Sequence, residues 1–269
     1  MTTKSLTALP VFNERAHVGK VLDETLRYSR HVLVVDDGST DGTSEVLAAR
    51  KDIRVVTHGE NRGYGAALKS AFDYAIGHGY GVLVTIDCDG QHEPKRIPEL
   101  VAATGRADIV SGSRYLAQFA GDSRPPEQRR RVNRIITEEI NRRLGLHLTD
   151  AFCGFKAYRV DALRRIEVTD PGYAMPLELW VQAAFHRLRI LEVAVPLIYL
   201  DEARSFGGSL DDTSTRLAVY REVLERAIRR CLVADGRCTS AAARGACGTV
   251  AGLHVSKFST AGSACGETL

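Results

Sequence analysis

The chain has 269 residues and no apolar run approaching the roughly 18 residues that cross a bilayer. The best candidate, residues 190–200, is interrupted by Glu192 and Pro196. A cleavable leader is not apparent either: Met1-Thr2-Thr3-Lys4 passes straight into Ser5-Leu6-Thr7-Ala8-Leu9-Pro10-Val11, which reads as a first strand. The expectation is a catalytic part that stays in the cytoplasm. Excess charge is lacking as well. Thirty-six Lys and Arg against 33 Asp and Glu leave a net charge of +3, too little to argue for nucleic acid as a partner. None of the six cysteines stands in a C-x-x-C pair, which argues against structural zinc and for free thiols in a reducing compartment.

The hydrophobic content of 44% and charged content of 26% are those of an ordinary globular protein. Strand-like runs at 5–11, 31–35, 53–57, 81–86 and 108–112 alternate with helical spacing at 41–49, 63–76 and 94–103. Asp41 is placed to cap the first of these helices. Such alternation predicts an α/β fold, a mostly parallel sheet flanked by helices. Ligands of such sheets sit beyond the carboxyl ends of the strands, where Asp36-Asp37 and Asp87-Cys88-Asp89 both fall. The later part is less regular: a loop at 114–126, a basic helix at 127–144, strands at 155–158 and 191–195, and a helix at 176–186. The expected division is a catalytic domain over 1–212, a basic amphipathic helix over 213–234, and a low-complexity tail over 235–269. In the helix at 213–232, Leu217, Tyr220, Leu224, Ile228 and Cys231 form an apolar stripe surrounded by Arg216, Arg221, Arg226, Arg229 and Arg230. A helix of this type lies at a membrane headgroup boundary if its apolar face is free. The alternative is that the stripe packs on the domain.

The sharpest chemical signal is Asp87-Cys88-Asp89-Gly90-Gln91-His92 at the end of an apolar run. In extended backbone, residues two apart point the same way. Asp87 and Asp89 can therefore converge on one cation, with Gln91 adding a neutral oxygen. An all-oxygen set suits Mg²⁺ or Mn²⁺ bridging to phosphates. A polar loop with no ligand is the competing reading of the same residues, and His92 reads as a loop residue rather than a ligand. Asn61-Arg62-Gly63-Tyr64-Gly65 suggests a dinucleotide fingerprint, but Leu68 stands where the third glycine belongs. These glycines read instead as close helix-to-sheet packing.

Five segments taken in order, Leu9-Pro10-Val11-Phe12-Asn13-Glu14, Val34-Val35-Asp36-Asp37-Gly38-Ser39-Thr40-Asp41-Gly42-Thr43, Asn61-Arg62-Gly63-Tyr64-Gly65, Asp87-Cys88-Asp89-Gly90-Gln91-His92 and Ser111-Gly112-Ser113-Arg114-Tyr115, resemble the family 2 glycosyltransferases of GT-A fold. The similarity spans roughly residues 5–210 and is greatest to polyprenyl-phosphate (dolichol-phosphate) mannosyl- and glucosyltransferases. It implies that Asp37 recognises the nucleotide base, with Pro10, Phe12, Glu14, Asp87 and Cys88 completing the nucleotide pocket. It implies that Asp87, Asp89 and Gln91 hold Mg²⁺ or Mn²⁺ on the diphosphate of a nucleotide sugar. Asp89, Arg114, Arg129, Glu178 and Arg204 would then serve catalysis. Arg114 and Arg129 match positions that bind the lipid phosphate, Glu178 a recurrent carboxylate near the sugar, and Arg204 a loop arginine that grips the donor diphosphate. Leu210 departs from the pattern, since many relatives carry lysine there.

The expected reaction is inverting hexose transfer from a nucleotide sugar of the GDP-mannose or UDP-glucose type to a polyprenyl phosphate. Peripheral contact with the inner face of the membrane would follow. Two other readings stand beside it: a soluble transferase with a saccharide hydroxyl as acceptor, and a catalytically inactive nucleotide-binding partner protein. Acid lability of the product separates the first two, and donor hydrolysis excludes the third.

Overall fold

The structure is a computed structural model and describes residues 3–200 and 211–234. Arg204, Leu210 and the tail from 235 onward lie outside the described residues. A seven-stranded sheet runs through the molecule in the order β3-β2-β1-β4-β6-β5-β7. Its strands are β1 (Ser5–Val11), β2 (Val32–Asp36), β3 (Arg54–Thr57), β4 (Val82–Thr85), β5 (Ile109–Ser113), β6 (Lys156–Arg159) and β7 (Ile190–Ala194). β1, β2, β3 and β4 are mutually parallel. β6 runs against both β4 and β5, and β7 returns parallel to β5.

Helices cover both faces, which is why β2 and β4 are buried at every position. On one face Val18, Val21 and Leu22 of α1 (Val18–Tyr28), Leu47 of α2 (Thr43–Ala48) and Ile97 and Leu100 of α4 (Ile97–Ala103) pack against Leu9, Val34, Val84 and Val110. α1 was not legible as a separate helix in the sequence pattern. A 3₁₀ turn, Pro94–Arg96, leads into α4. α2 begins two residues after Asp41, whose Oδ1 accepts the Thr43 N–H at 3.0 Å.

The other face is built from α3 (Tyr64–Gly77), α5 (Glu127–Leu144), the short α6 (Val160–Leu163), α7 (Met175–Phe185) and α8 (Thr213–Ala234). In α5, Val132, Ile136, Ile140 and Leu144 recur every fourth residue and are buried, the spacing that keeps one helical face on the core. α7 is buried on all sides from Met175 to Ala184.

The division expected at 212/213 does not coincide with a break in packing. α8 lies on α5 and α7, and Tyr220, Val223, Leu224, Ala227 and Ile228 belong to the same core as the sheet. Three of its arginines are tied down too: Arg221 to Glu139 at 3.0 Å, Arg226 to Asp170 at 2.9 Å and Arg230 to Glu178 at 2.9 Å. The apolar stripe is therefore spent on the domain and is not a free face for lipid. Among the described residues no helix is long and apolar enough to cross a membrane.

Candidate active site

Parallel pairing aligns the carboxyl ends of β1, β2 and β4, so Phe12, Asp37 and Asp87 emerge on one edge of the sheet. They open into a cavity of about 540 Å³. Pro10, Phe12, Glu14, Asp37, Asp87, Cys88, Asp89, Gln91, Arg114 and Arg129 all line it. Glu178 does not. It sits on α7, buried, at a second cavity that it shares with Arg226 and Arg230 of α8.

Asp36 and Asp37 divide their labour. Asp36 is fully buried and closes its own turn, accepting the Ser39 N–H at 3.1 Å and the Ser44 hydroxyl. Asp37 is 3% exposed. Its Oδ1 lies 2.5 Å from His58 Nδ1 and accepts the Arg62 N–H at 3.0 Å, while Oδ2 accepts the Gly63 N–H at 2.7 Å. A carboxylate has about four lone-pair sites. Asp37 thus uses three of them to shape the loop before α3 and keeps capacity for one more donor.

The glycines of that loop approach another loop rather than the sheet. A Cβ on Gly65 would lie 2.1 Å from the Asp170 carbonyl oxygen. The sequence expectation of helix-to-sheet packing is corrected accordingly: the neighbour is the segment before α7, and only its backbone fits that close.

The acidic pair is held as follows. Asp87 Oδ1 accepts the Tyr64 hydroxyl at 3.0 Å, and Oδ2 lies 3.6 Å from His92 Nε2. Burial alone would push the Asp87 carboxyl up. The neighbouring His92, the Tyr64 hydroxyl and the Lys156 ammonium outweigh it and hold the carboxyl below the usual range. Asp89 Oδ1 accepts the Gln91 N–H at 3.0 Å, closing the turn. Among the described residues no three His, Cys, Asp or Glu side chains form a metal cage. Two carboxylates and one amide oxygen still fit Mg²⁺ or Mn²⁺, because such ions take one or two carboxylates and fill the rest of the shell with substrate phosphate and water. Asp87, Asp89 and Gln91 would hold it.

Gly154 makes this arrangement possible. β4 and β6 are antiparallel with Thr85 opposite Lys156. Two residues on from Thr85 and two back from Lys156, Asp87 faces Gly154. A Cβ there would lie 2.1 Å from Asp87 Oδ2.

The basic side is equally organised. Arg114, just past β5, donates to Asp150 through Nε at 2.6 Å and Nη2 at 2.9 Å. Asp150 is fully buried and also accepts the Asn133 amide at 2.8 Å. Burial opposes the charge on Asp150, but Arg114 and Asn133 prevail and keep its carboxyl far below the ordinary range. Two of the five donors of Arg114 are spent in this way. The Arg129 guanidinium lies over the Tyr199 ring at 5.6 Å. Arg216, placed by the sequence among the arginines around the apolar stripe of α8, is 3% exposed and lines the cavity. Its signal was present: it stands four residues before Tyr220, on the same helical face. Tyr64, His92, Tyr173 and Gly154 were also missed as site residues. Their roles depend on contacts between segments far apart in the chain.

The open α/β sheet with a cleft at its switch edge, acidic at one part of the wall and arginine-lined at another, has the GT-A architecture of glycosyltransferases. The chain belongs to glycosyl transferase family 2, whose model matches residues 7–167. It is 32% identical over 218 residues to the undecaprenyl-phosphate mannosyltransferase of Micrococcus luteus, covering 76% of this chain and 88% of that one. To the polyprenol monophosphomannose synthase of Mycolicibacterium smegmatis it is 33% identical over 243 residues, covering 85% and 88%. In fold it is similar to the crystal structure of glucosyl-3-phosphoglycerate synthase from Mycobacterium tuberculosis, with a TM-score of 0.64 at 22% identity over 88% of this chain and 82% of that one. A mannosyl-3-phosphoglycerate synthase from Rubrobacter xylanophilus superposes with a TM-score of 0.62 at 17% identity, over 91% and 78%.

Proposed function

We propose that this glycosyltransferase moves a hexose, with inversion, from a nucleotide-diphosphate sugar to a polyprenyl phosphate, with Mg²⁺ or Mn²⁺ as cofactor. The observation that carries the reading is one cavity whose wall holds both the acidic pair Asp87 and Asp89 and the three arginines Arg114, Arg129 and Arg216. The activities named for the Micrococcus and Mycolicibacterium relatives support it.

Direct displacement forms a bond from an acceptor oxygen to the anomeric carbon and breaks the bond to the diphosphate, which leaves with the electron pair. A bound divalent ion would offset the charge that develops on that leaving group. A hydroxyl acceptor needs a general base for its proton. Asp37 already receives three donors, and Asp87 and Asp89 are assigned in this reading to the cation, so the reading leaves these three carboxylates out of that task. A phosphate monoester is already anionic, with a second pKa of about 6, so no base is required. Its difficulty is repulsion, about 4 kcal/mol between unit charges at ~4 Å and an effective dielectric of about 20. Arg129 and Arg216, with the remaining donors of Arg114, offset that repulsion at the acceptor side.

Peripheral membrane contact at the cytoplasmic face is assigned to the rim of this cavity rather than to α8. Leu116, next in sequence to the cavity residue Tyr115, is 46% exposed, and Arg130, Arg131 and Arg134 are exposed on α5 beside Arg129. Arg130 is close enough to Tyr115 to act on its hydroxyl electrostatically.

The test is product analysis with UDP- and GDP-hexose donors, undecaprenyl phosphate and Mn²⁺. The expected product is an acid-labile glycosyl phosphate that Asp89→Asn fails to form. An acid-stable product, or sugar transferred to saccharide hydroxyls, refutes the proposal.

A further inference from the structure

Glu178 does not line the cavity, yet its carboxylate accepts four hydrogen bonds. Oε2 takes the N–H groups of Thr169 at 2.7 Å and Asp170 at 3.0 Å. Oε1 takes the Thr169 hydroxyl and, at 2.9 Å, Nη1 of Arg230 from α8. Arg230 also reaches Glu167 Oε2 at 3.0 Å. One helical turn away, Arg226 pairs with Asp170 Oδ2 at 2.9 Å, and Asp170 Oδ1 accepts the Gly172 N–H at 3.0 Å. Apart from the two Arg230–carboxylate pairs, these contacts converge on one short segment, 169–173.

That segment has no regular structure, so its backbone N–H groups need acceptors. A buried carboxylate supplies them, and a buried carboxylate in turn needs a cation. The far end of the segment is cavity wall. The Pro171 carbonyl accepts the Ala66 N–H at 3.2 Å, locking the segment to the first turn of α3. Tyr173 stacks on Tyr64 with ring centroids 5.7 Å apart and planes at 18°. The Tyr64 hydroxyl then donates to Asp87 at 3.0 Å.

We infer that Glu178, clamped by Arg230, is a positioning residue: it sets the 169–173 segment and, through the Tyr173–Tyr64 stack, the wall and the Asp87 carboxylate that receive the donor nucleotide. Glu178 thus acts on the donor side without touching it. The inference rests on the cavity being the nucleotide site.

Calorimetric titration of UDP and GDP, in Mg²⁺ and again in EDTA, tests it on wild type, Glu178→Gln, Arg230→Ala, Tyr173→Ala and the Glu178→Gln/Tyr173→Ala double variant. A glutamine in place of Glu178 would keep the shape but present N–H groups to N–H groups. The expected loss in nucleoside diphosphate affinity is about tenfold for Glu178→Gln and about threefold for Arg230→Ala. The KM for undecaprenyl phosphate stays within about twofold, since the strut ends on the donor wall. The double variant binds no more weakly than the worse single one, because both changes cut the same chain. Unchanged affinity in Glu178→Gln and Arg230→Ala overturns the inference, and so do losses that multiply in the double variant. Should Glu178→Gln fail to fold, the cycle of Arg230→Ala with Tyr173→Ala carries the same comparison. Wild-type protein that binds neither nucleotide refutes the donor-site assignment instead.

Discussion

Gly154→Ala is the most direct probe of the acidic pair, because it alters neither carboxylate. The added methyl would lie 2.1 Å from Asp87 Oδ2, 2.5 Å from Cγ and 2.6 Å from Oδ1. Ordinary non-bonded contact begins at about 3.3 Å, so the carboxylate must retreat by about 1 Å. That shift breaks the 3.0 Å hydrogen bond from Tyr64. A displacement of this size at reacting groups costs about a hundredfold in rate, equivalent to about 2.7 kcal/mol of transition-state stabilisation. Stability should fall by only about 1–3 kcal/mol, the usual cost of overpacking. The assay is kcat/KM for sugar transfer alongside a urea unfolding curve. Gly77→Ala, at the end of α3 with nothing within 4 Å, is the matched control and should leave kcat/KM unchanged without loss of stability. A folded Gly154→Ala protein with kcat/KM within about threefold of wild type would refute the idea that Asp87 geometry governs the reaction.

Arg129→Ala should raise the KM for undecaprenyl phosphate by about tenfold and that for the donor by far less. Steady-state kinetics with both substrates varied reads this, and equal effects on the two would count against Arg129 as an acceptor residue. Asp150→Asn should cost about 3–5 kcal/mol in urea unfolding, because it strips the Arg114 guanidinium of its buried counter-charge. The folded-state pKa of Asp150 is depressed. Its contribution is therefore complete above the unfolded value of about 3.9 and is lost as pH falls below it, so the gap between wild type and Asp150→Asn should narrow under about pH 4. Reversing Arg130, Arg131 and Arg134 to Glu should abolish co-flotation with phosphatidylglycerol vesicles while sparing transfer to a short-chain, detergent-solubilised acceptor. Each basic residue near an anionic surface contributes about 1 kcal/mol, and undiminished flotation would move the membrane contact elsewhere.

Much of this molecule is written locally. The Val-rich runs ending in Asp36-Asp37 and in Asp87-Cys88-Asp89 announce strands with acidic carboxyl ends, and α5 begins and ends at the residues its pattern predicts, Glu127 and Leu144. The first turn of α8 shows where local reading stops. Arg216 reads locally as one of five arginines around an apolar stripe, yet α8 packs on α5 and α7 and Arg216 lies in the cavity wall. Glu178 shows the same limit: a motif match placed it near the sugar, whereas its hydrogen bonds run to the 169–173 segment and to α8.

The residue order by itself determined the alternation of strands and helices, the family, and the chemical types available at the strand ends, because periodicity and short motifs depend only on neighbours along the chain. Only the tertiary structure decided which of those groups meet. The antiparallel insertion of β6 beside β4 sets Gly154 against Asp87, and the return of α8 over α7 anchors a segment about 60 residues earlier through Arg226 and Arg230. Such contacts arise from packing two layers of helices on one sheet, and no window of sequence contains both partners.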